Sequence, residues 1–227
     1  MFLFIRLLLG HIAADFLFQT DEIYTLKKKE LFGIVLHASI VFFSLLCFSI
    51  PYLQFREMWA LILVASVTHG IQDKIKLKIS QSKFDYLIFI ADQLLHLAVL
   101  LPVLLFGFSS SAHAPEARNL IVKIYNNSNY MLILGGYILS VYAGKSFWLV
   151  LQTSFSFKTE GDKSFALYGM FERFIITTSL LKPHFLVFLV VPLIARFVLK
   201  KYKFGMDLIF NFLFASLFGL LLRFFVF

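Results

Sequence analysis

The sequence predicts an all-α fold, a polytopic bundle of transmembrane helices with about 7–8 hydrophobic segments. Three observations predict it. The chain is 60% hydrophobic with a mean hydropathy of +0.85, and Phe alone supplies 30 of its 227 residues. Its charged fraction is 15%, against roughly 25% in an average soluble domain. Its apolar residues fall in long runs separated by short polar stretches, the pattern of helices that cross a bilayer.

The apolar runs lie at about 2–19, 32–50, 58–72, 84–108, 130–153, 165–181, 184–199 and 206–227. A bilayer core needs about 20 helical residues, so the third, sixth and seventh runs are short. Only Lys182 and Pro183 separate the sixth from the seventh; two tilted spans or one re-entrant hairpin both fit. The opening run, MFLFIRLLLG, has no basic stretch before it and leads straight into His11 and Asp15. It is expected to be a retained first span, not a cleaved leader. The longest loop, 109–129, divides a single integral membrane domain into a four-helix half, 1–108, and a second transmembrane half, 130–227. In the fifth run Gly136, Ser140 and Gly144 recur every four residues, a small-residue stripe that lets another helix pack closely.

Lys and Arg are unevenly divided between alternate loops. One set holds Lys27, Lys28, Lys29, Lys74, Lys76, Lys78, Lys83, Lys158, Lys163, Lys200, Lys201 and Lys203. The other holds Arg56, Arg118, Lys123, Lys182 and Arg223. The richer set should be cytoplasmic, which with eight spans puts both termini outside. The net charge of +8 has the same explanation: basic loop residues meet anionic lipid, and no basic face with interleaved aromatics calls for nucleic acid. Cys47, the only cysteine, excludes an intrachain disulfide and a thiolate zinc cluster. It falls mid-span and is expected to pack.

The chemistry lies in three pairs: His11/Asp15, His69/Asp73 and Asp92/His96. Four residues is about one helical turn, so each pair shares a face. Ionisable groups inside a bilayer are costly and tend to mark function. Reckoned at about 1.5 Å per residue, all six, together with His37, lie in one layer near the inner ends of the first four runs. Imidazole and carboxylate together predict a divalent metal ion held by His11, Asp15, His69, Asp73, Asp92 and His96, zinc first, with manganese, iron or nickel also fitting. An isolated pair could be an intrahelical hydrogen bond; three at one depth favour an ion. The donors exceed the four of one closed zinc site, implying two ions or one ion with separate acid/base groups. His37 is an acid/base, a ligand or a satisfied histidine, and Asp92 has a catalytic role as its alternative. His113 and His184 fall outside the layer and are expected at the surface or interface. In the second half, Glu172, Arg173 and Arg196 form either a structural Glu–Arg pair with a snorkelling arginine or a site for an anionic headgroup. Lys28 and Lys74 are further candidates to hold phosphate.

The run GHIAADFLFQTD, the Lys-rich turn after it, LHASI, THGIQDKIK and ADQLLHL resemble the bacterial membrane family called domain of unknown function 3307. The resemblance covers roughly residues 8–100, and GMFERFII and IARF look like that family's later segments. It implies polar positions at His11, Asp15, Gln19, His37, His69, Asp73, Asp92 and His96, and a multi-pass protein of the bacterial inner (cytoplasmic) membrane. More distantly, the pattern is similar to inner-membrane metal-dependent hydrolases. The expected function is therefore a membrane-embedded metal-dependent hydrolase acting on a lipid or lipid-linked (phospho)ester from the cytoplasmic leaflet. Its partners would be membrane lipid and a lipid-linked substrate. The alternatives are a divalent-cation or proton-coupled transporter and a non-enzymatic accessory subunit with a structural metal.

Overall fold

A computed structural model describes residues 2–79, 84–104, 120–156, 163–182, 188–199 and 205–226. The expectations for His113, His184, Lys83, Arg118, Lys158, Lys200, Lys201 and Lys203 lie outside the described residues. Those residues are overwhelmingly helical and contain no strand. The chain forms two compact units, 1–131 and 132–227.

In the first unit, α1 (Phe2–Ile12) continues through a π-helical turn at Ala13–Leu17. The chain then bends by 84° into α2 (Asp21–Lys29). Thr20 caps α2, its hydroxyl accepting from the Ile23 N–H, with Asp21 and Glu22 in the first turn and three lysines in the last. That distribution complements the helix dipole at both ends. Next come α3 (Leu31–Phe48), α4 (Arg56–Ile79), α5 (Asp85–Leu100) and the short α6 (Leu120–Asn126). α1 packs on α3, α3 on α4, α4 on α5, and α5 on α1, closing a four-helix bundle.

The bundle is divided along its length. Leu3 and Leu7 of α1, Val41 and Leu45 of α3, Met58 and Ile62 of α4 and Leu100 of α5 form one apolar cluster. Successive helices run in opposite directions, so these positions fall at one end and the His/Asp pairs at the other. Leu63, Val67 and Ile71 on α4 and Leu87 and Leu94 on α5 are exposed, an apolar exterior suited to lipid. Cys47, expected in the packing, is exposed on α3 instead. At the apolar end sits a buried arginine that the sequence pattern does not single out. Arg6 donates to the Phe2 carbonyl (3.0 Å), the Ser128 hydroxyl (3.1 Å) and the Tyr125 carbonyl, with its guanidinium over the Phe2 ring. It thereby caps the carbonyl end of α6, where a cation is favoured.

α2 and α3 meet at Gly33. A Cβ built there would lie 2.3 Å from the backbone carbon of Leu26 and the nitrogen of Lys27. Only glycine permits that approach, and it fixes the last turn of α2 against α3. Gly33→Ala should cost about 1–3 kcal/mol through overpacking, read as a lowered melting temperature of the detergent-solubilised protein. An unchanged melt would show that α2 does not need this contact.

In the second unit, α7 (Ser128–Ile138), which begins in the first, passes through a second π-helical turn, Leu139–Ala143, into α8 (Gly144–Phe155). α9 (Lys163–Leu181), α10 (Val190–Leu199) and α11 (Met206–Val226) complete the unit. The small-residue stripe is a packing face. Gly136 lies against Leu222, the Ser140 and Thr177 hydroxyls hydrogen-bond at 2.6 Å, and a Cβ on Gly144 would meet Arg173 Nε at 2.7 Å.

Among the described residues four helical stretches are long and apolar enough to cross a membrane: Leu31–Phe48, Asp85–Leu104, Ser128–Phe155 and Met206–Val226. The bent pair of α1 and α2 makes a fifth if counted as one span. Among the described residues the count is therefore about four, and the expected 7–8 segments are not supported. The third run is folded into α4, whose ends carry Arg56, Glu57, Lys74, Lys76 and Lys78. The sixth, in α9, is interrupted by Glu172 and Arg173, and the described residues of the seventh include the ten-residue α10.

Candidate metal centre

Each of the four bundle helices delivers its polar residues to the same place. His11 and Asp15 come from α1 and its π turn, His37 from α3, His69 and Asp73 from α4, and Asp92 and His96 from α5. All seven are buried. The π turn matters locally: the Phe18 N–H bonds the Ala13 carbonyl, five residues back, at 2.9 Å, widening the helix where Asp15 projects. Such turns recur at functional sites.

Four donor atoms converge most tightly. His37 Nε2 and His69 Nε2 are 3.0 Å apart. Asp15 Oδ1 lies 3.2 Å from each of them. Asp73 Oδ2 lies 3.7 Å from His37 Nε2 and 3.4 Å from His69 Nε2. A tetrahedral zinc with bonds of about 2.0–2.1 Å needs donors roughly 3.3–3.4 Å apart, and these separations bracket that edge. The Nδ1 atoms of His37 and His69 are buried without a hydrogen-bond partner, so both rings direct their polar contacts through Nε2. Two imidazoles and two carboxylates suit zinc and its neighbours, and the residues present fit such an ion.

The other donors flank this set. His11, Asp15 and His69 offer atoms within 4.8 Å of one another, as do Asp73, Asp92 and His96. His11 Nε2 is 3.7 Å from Asp15 Oδ2 and has no hydrogen-bond partner. The His96 ring stacks on His69 with centroids 4.1 Å apart, bonds Gln72 through Nδ1, and places Nε2 3.3 Å from Asp92 Oδ1. A small cavity lined by His11, His69, His96, Leu45 and Leu100 lies where the polar cluster meets the apolar core.

Two lysines reach the carboxylates, neither of them among the candidates to hold phosphate. Lys27 Nζ lies 2.8 Å from Asp73 Oδ2 and 2.6 Å from Gln19 Oε1. Lys76 Nζ lies 2.6 Å from Asp92 Oδ2. Lys28 and Lys74 are exposed, Lys28 lying over the Tyr24 ring, and neither reaches the cluster. Lys76 follows Asp73 by three residues and His69 by seven, which is the same helical face. Lys74 points elsewhere because its neighbour Asp73 points in.

The expected anion site in the second half is an internal network. Arg196 forks onto Glu172, Nε to Oε1 at 2.5 Å and Nη2 to Oε2 at 2.6 Å, and also holds Asp207 at 2.6 Å. Asn211 donates to Glu172 at 2.7 Å and accepts from Arg173, whose other terminal nitrogen donates to the Val141 carbonyl at 3.0 Å. That carbonyl belongs to the second π turn. Glu172 is thus paired with Arg196, which is buried and does not snorkel, while Arg173 is held by Asn211 and the backbone.

These features define an all-α protein with several apolar helices of the kind found in membranes, built around a buried His/Asp cluster. Residues 3–121 match the family described as protein of unknown function (DUF3307). The match takes in more than half of the chain, and the chain belongs to that family. Neither a curated protein nor a solved structure matches it.

Proposed function

We propose that the first unit is a membrane-embedded metal-dependent hydrolase. Its substrate would be a lipid or lipid-linked ester or phosphoester entering from the cytoplasmic leaflet of a bacterial inner membrane. The observation that carries this reading is the buried set of His37, His69, Asp15 and Asp73, in which the two imidazoles lie 3.0 Å apart and each carboxylate lies 3.2–3.7 Å from both of them, close to the edge of a tetrahedral zinc site. A bound zinc would supply an activated water near neutral pH and polarise the scissile group. Around it, His11 and the His96–Asp92 pair are placed to hold and pass protons. The apolar core beyond the cluster excludes water from the opposite side. Exposed Lys28 and Lys74, at the same end as the cluster, would attract an anionic headgroup.

The apolar core also weighs against a transporter, which needs polar groups leading to both faces. A structural metal in an accessory subunit has one feature in its favour: four protein donors close a tetrahedron, whereas catalytic zinc keeps a position open. Purified protein should carry one transition-metal ion per chain by elemental analysis. In mixed micelles it should hydrolyse phospholipid or polyprenyl-phosphate esters in a chelator-sensitive, zinc-restored manner. Absence of stoichiometric metal would end the reading. Full metal with no turnover on either substrate class would favour the structural role.

A further inference from the structure

We infer that Lys27 competes with the ion for Asp73 and so holds the metal site open. The inference rests on the metal reading above and deepens it. The placement of Lys27 is built into the fold. Its helix turns 84° from α1, its backbone is pressed against α3 where only Gly33 fits, and its side chain is 6% exposed, with the ammonium between Gln19 and Asp73. Gln19 Oε1 fixes the ammonium from one side. The oxygen that Lys27 grips, Asp73 Oδ2, is the same one that faces His37 and His69.

One carboxylate oxygen cannot serve a metal and an ammonium equally well, because each draws on the same electron density and the two cations repel. Asp73 Oδ2 is also the most distant corner of the four-donor set, 3.7 and 3.4 Å from the two imidazoles, while the other three corners lie 3.0–3.2 Å apart. An ion there is left with His37, His69 and Asp15. Two histidines and one carboxylate with a fourth position for water or substrate is the pattern of catalytic zinc; four protein ligands is the structural one. Lys27 is thus a positioning residue that sets which of the two this site becomes.

Cobalt(II), followed by its visible absorption, is the probe, with azide as a small anion that enters an open position. Wild-type protein should bind cobalt and shift its spectrum on adding azide. Lys27→Met should bind cobalt at least tenfold more tightly and lose the azide response, because Asp73 becomes the fourth ligand. Lys27→Gln keeps a hydrogen-bond donor near Gln19 without the charge, and should behave in the same way if the methionine variant does not fold. A lysine that merely braces α2 would lower the melting temperature and leave both readouts at wild-type values. That result, or cobalt affinity that falls, overturns the inference and spares the metal reading. Failure of wild type and both variants to bind cobalt overturns both.

Discussion

His69→Ala should reduce bound transition metal from about one ion per chain to background, a loss of affinity of at least about 100-fold. Removing a group that merely supports a ligand already costs about 10–100-fold, and His69 is more central than that. Its Nε2 is within 3.4 Å of His37 Nε2, Asp15 Oδ1 and Asp73 Oδ2 at once, and its ring stacks on His96. The alanine would also leave Asp15 and Asp73 facing each other with one fewer partner between them. Elemental analysis of the detergent-purified variant, beside a zinc titration, reads the effect without any guess about substrate. Wild-type metal content in His69→Ala would remove His69 from the site and with it the four-donor arrangement.

Glu172→Ala carries the largest expected effect on stability. Glu172 is fully buried and accepts from Arg196 twice and from Asn211 once. Its loss strands part of a buried guanidinium, and breaking one side of such a pair costs about 3–5 kcal/mol. For a chain of this size that corresponds to a fall of roughly 6–20 °C in melting temperature. The double variant Glu172→Met/Arg196→Met should recover much of the loss, since a well-packed apolar replacement of a buried pair is often neutral. Asp207 would then lose its arginine, but it is more exposed than Glu172. A melt of Glu172→Ala within about 2 °C of wild type, about 1 kcal/mol or less, would mean that the network is not holding α9, α10 and α11 together.

Much of the centre is legible in the sequence because helices impose a rigid spacing. His11/Asp15, His69/Asp73 and Asp92/His96 each span one turn, and reckoning depth along antiparallel runs is enough to put them with His37 in one layer. What such reckoning cannot supply is direction around the bend after Phe18. The 84° turn into α2 makes Lys27, rather than Lys28, the residue that reaches Asp73. The place of Lys76 is legible in the spacing, since His69, Asp73 and Lys76 follow a four-then-three pattern on one helical face. His37 has no partner one turn away on α3, so its three possible roles are not separated by spacing. Only the packing of α3 between α1 and α4 puts its Nε2 among the closest donors. Among the described residues fewer spans are found than the apolar runs suggest, for a related reason. An average over a run ignores where charge sits within it, and Glu172 and Arg173 in α9 are buried against each other's neighbours instead of being excluded from the helix.

The widened turn at Ala13–Leu17 has a bearing on how relatives of this chain should be aligned. A turn of that kind absorbs one additional residue while the rod continues on either side. A sequence one position shorter at Ala13 or Ala14 could therefore keep both flanking faces in phase. The same gap placed nearer Phe4 would rotate everything upstream by roughly 100° and swing Phe2 out of the bundle. Length variation tolerated at this point and nowhere else in the first helix would be the evolutionary trace of that slack.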